Sequence, residues 1–166
     1  MARRFNISGE LTQELLPVGN NSKISKIALT NVQKVSSCKV DLYVEKGLTG
    51  RFHLLKGVEL PIGATLEHDI SVNQHGLYIK LTDGPTFTLT GSIDVTGTNT
   101  NVPGTNTLFT SELSIGDEVV ISGETRTVSN ITSDTAAVVS AAFGSDLAND
   151  ATPDCNPTAL VDVILT

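Results

Sequence analysis

The last eight residues, "ALVDVILT", constrain this chain more than any other stretch. Val161, Val163 and Leu165 fall on one face and Leu160, Asp162 and Ile164 on the other, the period of two expected of an extended strand. The preceding "GSDLANDATPDCNP" is a turn-rich, polar segment that offers no partner. An apolar strand left unpaired at a chain end is an aggregation hazard, so it must join a sheet built earlier. The front of the chain closes its own run of strands with "GLYIKLTDG", and the closing strand is expected to return beside it. Residues 86–154 then form an insertion at a hairpin tip, with their two ends close together.

The front half supplies the rest of that sheet. "KISKIALTNV" alternates Ile27 and Leu29 against Lys26, Ala28 and Thr30, and "CKVDLYVEKG" turns Val40, Leu42 and Val44 inward. "RFHLLKGVELPIGATLEHDI" gives two short strands with Pro61 and Gly63 in the turn between them. Turn signals recur every 8–12 residues, the pattern of a β-sandwich. Residues 1–22 read as an N-terminal arm that ends in Pro17 and Gly19-Asn20-Asn21. From residue 86 the chain is rich in Thr, Ser, Asn and Gly. Four or five strands are expected there, with a helical turn at "TSEL" capped by Thr110 or Ser111 and a hairpin at Gly123-Glu124. The fold class is therefore all-β: an antiparallel β-sandwich (jelly-roll or Ig-like) of residues 23–85 plus 155–166, with a small SH3-like β-barrel of residues 86–154 inserted. Aromatic content is only 4%, so both cores must be built from Val, Ile, Leu and Ala.

Charge divides the chain. Residues 1–85 carry ten Lys/Arg against eight Asp/Glu, a net +2, whereas residues 86–166 carry Arg126 alone against ten acids, a net −9. An acidic surface repels phosphate and argues against nucleic-acid binding. No apolar run reaches membrane-spanning length, and the N-terminus lacks a secretory apolar core, so export as a preprotein is not expected and the sequons at Asn6, Asn20 and Asn130 carry no meaning.

Little in the sequence points to chemistry. His53, His68 and His75 match no metal-ligand spacing, and in a strand Glu67 and Asp69 would face away from His68. Asp117, Glu118, Glu124 and Asp134 could pair as the carboxylates of a glycosidase, but they read better as solvated faces and turns. No nucleophile elbow, P-loop or dinucleotide fingerprint is present. Cys38 and Cys155 could become neighbours if the closing strand returns, although buried free thiols are the simpler expectation in a reducing cytosol. No enzyme activity and no cofactor are expected.

The blocks "RFHLLKGVELPIGATLEHD", "GLYIKLTDG" and "ALVDVILT" resemble a small β-sandwich family of structural proteins in tailed phages, especially phages of marine bacteria. Leu54, Leu55, Lys56, Pro61, Gly63 and Leu66 carry the first block, Leu77, Ile79 and Lys80 the second, and Val161, Val163 and Ile164 the third. In that family the last two strands form a short hairpin, so their separation here is a departure. Gly97–Thr135 is similar to a second module of phage appendage and virion proteins. Together the resemblances cover residues 23–166. They imply a bacteriophage virion protein assembled in the host cytoplasm. A capsid decoration (cement) protein on the major capsid protein is favoured, as a homo-oligomer such as a trimer. A neck, tail or fibre-base adaptor is the alternative, and a host-glycan-binding module a third. The expected contact is the arm, through Arg3, Arg4, Phe5 and Ile7, by strand addition to a neighbouring sheet.

Overall fold

The computed structural model describes residues 2–47 and 50–166. The chain forms two compact units, Met1–Gly84 with Ala159–Thr166, and Pro85–Thr158. In chain order the first unit contributes β1 (Arg3–Ser8), β2 (Thr12–Leu16), β3 (Lys26–Asn31), β4 (Cys38–Glu45), β5 (Arg51–Leu60), β6 (Thr65–Asp69) and β7 (Gly76–Thr82). The second contributes β8 (Phe87–Thr88), β9 (Ser92–Val95), β10 (Asn101–Thr105), α1 (Phe109–Glu112), β11 (Glu118–Ile121), β12 (Glu124–Ser133), β13 (Ala136–Val139), β14 (Leu147–Asp150) and β15 (Asp154–Asn156). The last strand, β16 (Leu160–Leu165), belongs to the first unit again.

Unit 1 holds two antiparallel four-stranded sheets, in the orders β1-β16-β3-β6 and β2-β7-β4-β5. Period-two alternation points one face of each sheet inward. Ile7, Ile27, Leu29, Val161, Val163 and Leu165 of the first sheet share a single apolar core with Leu15, Leu16, Val40, Leu42, Leu77, Ile79 and Leu81 of the second. The arrangement is therefore sandwich-like.

The closing strand does not lie beside β7. It sits between β1 and β3, with Phe5 opposite Val163 on one side and Leu29 opposite Val163 on the other. The neighbours of β7 are β2 and β4. The reason is that the first 22 residues are not an arm: they form β1 and β2, one in each sheet. Ile7, Leu15 and Leu16 are all buried. Burying such side chains is worth ~1.5–3 kcal/mol each, far more than a tail would forgo. The order in β2 is hidden because a register shift between Glu14 and Leu16 turns both Leu15 and Leu16 inward.

The mouth of the insertion is pinned by carboxylates. In unit 1, Asp83 accepts the backbone N–H of Ala159 at 2.6 Å. In unit 2, Asp117 accepts that of Thr158 at 2.9 Å and that of Ser114 at 2.7 Å. A side chain at Gly84 would collide with Ser36 and the Ser37 carbonyl, so only glycine fits there. Asp154–Asn156 belongs to unit 2, which moves the second boundary from the expected 155 to 159.

Unit 2 has more strands than its composition discloses. Eight form one sheet in the order β14-β9-β10-β13-β12-β11-β15-β8, ending in β14 and β8 rather than closing into a barrel. Its core is separate from that of unit 1 and includes Ile93, Val102, Phe109, Val119, Ile121, Val139, Phe143 and Cys155. The β11–β12 hairpin turns at Ser122-Gly123, one residue earlier than Gly123-Glu124, with positive φ at both residues (49° and 86°). That geometry suits the twist of the flanking strands. No side chain of α1 caps it; Asp134, across the loop, accepts from the Thr110 backbone N–H at 3.1 Å.

Asn31 is the polar keystone of unit 1. It is fully buried, and its side-chain amide donates to the Ser36 and Leu60 carbonyls at 3.0 and 2.9 Å and accepts from Gln33 N–H at 2.9 Å. Replacing it by alanine strands three backbone groups. We expect Asn31→Ala to lower unfolding stability by ~2–4 kcal/mol, read as a shift in the denaturant midpoint.

Candidate functional site

The residues with chemical potential do not converge. His53 lies on β5 opposite Tyr43, His68 on β6 opposite Ile27, and the His75 ring sits in a turn against the Val72 and Asn73 carbonyls. Among the described residues no group of three or more His, Cys, Asp or Glu is placed to hold a metal. Cys38 and Cys155 are both free and buried, each in the core of a different unit. Burial, reinforced by the charge of Asp83, pushes the Cys38 thiol up to about 11. Burial and Asp117 push that of Cys155 up as well. Both therefore stay protonated and unreactive at neutral pH.

The acids of unit 2 are structural. Nine Asp/Glu against Arg126 give it a net charge of −8. Six of the nine accept backbone N–H groups: Glu112 from Thr90, Asp117 from Ser114 and Thr158, Glu124 from Gly144, Asp134 from Thr110, Asp146 from Gly97, and Asp150 from Ser122 and Thr152. Each ties a loop, a turn or the short helix to another segment of the unit. Of the four expected glycosidase candidates, Asp117 is fully buried, Glu124 is held by Arg126 at 2.8 Å and Asp134 by Thr110, and Glu118 lies exposed on β11.

The outer face of the second sheet carries both tyrosines. Tyr43 points away from the core yet is only 2% exposed. The Tyr78 ring stacks beside it at 5.5 Å, that of His53 tilts against it at 5.5 Å, and the Arg51 guanidinium lies 4.0 Å above it. Arg51 is held in turn by Glu45 at 2.7 Å. The cluster fastens β5 to β4 and leaves Tyr43 no open face for stacking a sugar. Beside it, burial disfavours the Asp41 carboxylate, but Lys56 at 2.7 Å and the Gly57 N–H at 2.6 Å outweigh that and hold its pKa below the ordinary value.

Strand edges are what unit 1 offers a partner. β2 and β5 are irregular: β2 has one register shift and β5 two, with Gly57 left-handed at φ 59°. Bulges of this kind turn an edge away from further pairing. β1 and β6 are different. Each pairs residue for residue with its neighbour, Arg3 to Ser8 against β16 and Thr65 to Asp69 against β3, without a shift. The residues expected to make contact all lie on one of these straight edges. Arg3 and Arg4 are exposed, Phe5 packs half-buried on the core rim, and Ile7 is buried. They form an edge strand already paired to β16, not a loose arm. Asn6 reaches Asp162 at 2.7 Å, tying the edge to the central strand.

No protein-family model, curated protein or solved structure matches this chain. Among the described residues no helix is long and apolar enough to cross a membrane.

The tyrosine cluster makes a pH prediction. Tyr78 donates its hydroxyl to Glu14 at 3.0 Å, and this bond, with burial second, raises its pKa above the ordinary 10.0. Its contribution to stability is present below pH 10 and is lost as pH rises through the higher folded value. Ultraviolet titration of the folded protein should show Tyr78 ionising late, and Glu14→Gln should bring it back toward 10. In a second assay, neither thiol of the native protein should react with a disulfide reagent at pH 8, while both react in denaturant.

Proposed function

We propose that this chain is a non-enzymatic structural protein of a tailed-phage particle, a capsid decoration protein that attaches through the β1 edge. The observation that carries the reading is the division of labour between the units. Unit 1 has a near-neutral surface and two regular open edges. Unit 2 is compact, strongly acidic and inserted in sequence between residues 84 and 159, and six of its nine carboxylates hold its own backbone. In this reading unit 1 is a jelly-roll or Ig-like sandwich, and unit 2 is a variant of a small SH3-like barrel whose sheet stays open. The likeness of "RFHLLKGVELPIGATLEHD", "GLYIKLTDG" and "ALVDVILT" to phage sandwich proteins supports the same assignment.

Strand addition suits this role. A backbone ladder gives affinity without a pocket, and the side chains alternating along β1 set the choice of partner. Arg4, Asn6 and Ser8 lie on the outward face and Phe5 and Ile7 on the inner one. Acid on unit 2 keeps a densely decorated surface soluble and mutually repelling. A neck, tail or fibre-base adaptor would use the same edge at much lower copy number.

Copy number decides between the two. Purified particles should contain this protein at a number comparable to the major capsid protein, measured by quantitative mass spectrometry. A count of roughly a dozen or fewer, as expected for one or two symmetric rings, would move it to the neck or tail. Its absence from particles would end the virion reading.

A further inference from the structure

The two regular edges of the first sheet fit each other. We propose that β1 of one copy pairs antiparallel with β6 of a second copy, setting Arg4 opposite Glu67, Phe5 opposite Leu66 and Asn6 opposite Thr65. This rests on the reading of β1 as an edge for strand addition and gives that edge to a neighbouring copy of this chain rather than to the capsid protein.

The register comes from the rows already present in the sheet. Across its four strands the residues line up as Arg4–Ile164–Ala28–Glu67, Phe5–Val163–Leu29–Leu66 and Asn6–Asp162–Thr30–Thr65. A second copy added by a step along the sheet continues each row, so the last residue of one meets the first of the next. Direction also agrees. Every neighbouring pair in the sheet is antiparallel and the strands number four, so β6 of one copy and β1 of the next run in opposite senses. No strand has to reverse and no residue has to change face.

Side chains agree as well. Phe5 and Leu66 are both half-buried on the inner face, packed on the rim of the same core. Joined across the edge, they extend that core past its present end. Arg4 and Glu67 are both exposed on the outward face. Glu67 already takes Lys26 at 3.1 Å, and in the joint its carboxylate lies between two cations. Asn6 and Thr65 bring two polar groups together on the same face. Pairs directly opposite in an antiparallel ladder are the ones whose side chains interact most strongly.

Charge also selects against the alternatives. β1 carries Arg3 and Arg4 and no acid, while β6 carries Glu67 and Asp69 and no Lys or Arg. Pairing β1 with β1 crowds four arginines into one short ladder, and pairing β6 with β6 crowds four carboxylates. The unlike pairing alone brings opposite charges together. It is heterologous, using a different surface on each copy, and so builds a closed ring or an open row rather than a two-fold dimer.

Sedimentation velocity of the full chain across a concentration series at low and high salt provides the test. Reversible self-association that weakens with salt is expected. Arg4→Glu and Glu67→Arg should each weaken it about tenfold by turning an attraction into a repulsion, and the double variant R4E/E67R should restore it. A covalent trap covers the case in which a charge swap disturbs folding. Asn6→Cys combined with Thr65→Cys should oxidise to linked multimers. Within one copy these positions are three strand spacings apart, about 14 Å, beyond the reach of a disulfide. A wild-type chain that stays monomeric throughout, or association indifferent to both swaps with no cross-link in the cysteine variant, overturns the pairing. A monomeric, uncross-linked protein that is nevertheless abundant on particles would sink this inference alone and give the β1 edge to the capsid protein. Self-association by a protein absent from particles would sink the virion reading and leave the pairing standing.

Discussion

The fold of unit 1 depends on β16 filling the place between β1 and β3. With Val161, Val163 and Leu165 fully buried, this strand supplies the middle of the first sheet and much of its inner face. Without it, β1 has no neighbour and β3 is paired on one side only. The strand reaches its place after an excursion through the whole of unit 2. That excursion must begin and end at fixed points, and the carboxylates at the junction provide them. Asp83 holds the backbone of Ala159 in unit 1, and Asp117 holds that of Thr158 in unit 2. Two successive peptide N–H groups are thus bound by two carboxylates, one in each unit. A buried acid is costly unless its oxygens are satisfied, and Asp117 meets that requirement with one backbone donor from its own loop, Ser114, and one from the end of the unit, Thr158.

The same logic runs through the rest of unit 2. Thr-, Asn- and Gly-rich loops have few apolar side chains to hold them down, so something else must. Carboxylates accepting backbone N–H groups do so at close range and with charge-assisted strength. A net charge of −8 is therefore largely a by-product of how the loops are secured. An acidic sequence, taken alone, invites a search for cations or catalytic pairs. Here the acids face their own backbone.

How much of this was legible in the sequence varied with the element. Strands β3, β4, β7 and β16 follow a clean period of two, because each buries one face along most of its length. The return of the closing strand to the front unit was likewise readable, but not its neighbours, since alternation fixes which side chains face inward and leaves open which strand lies next door. β1 was obscured by its opening arginines and its two apolar residues, and β2 by the bulge that sets Leu15 beside Leu16. β14 and β15 lie in a segment whose composition is that of a loop; their pairing comes from partners far away in the chain. The alternation of "CKVDLYVEKG" turns Tyr43 away from Val40, Leu42 and Val44, yet Arg51, His53 and Tyr78 on neighbouring strands bury it, and no local pattern discloses that. The straightness of β1 and β6, on which the candidate site turns, is a property of pairing and is invisible until the register is known.

The position of β16 also has a consequence for how the chain is made. Its partner β1 leaves the ribosome well before it, and β16 emerges only after all of unit 2. Unit 2 is continuous in sequence, so it can complete its sheet on the nascent chain while unit 1 still lacks a central strand. During that interval β1 has no partner and β3 keeps one edge open, with Ile7, Ile27 and Leu29 short of the strand that covers them. Domains generally fold as units in the order they are synthesised, and an open sheet edge is the hazard of waiting. Arg3 and Arg4 of β1 and Lys26 of β3 put like charges on the two strands that wait for β16, and edge charge of that kind opposes pairing between chains.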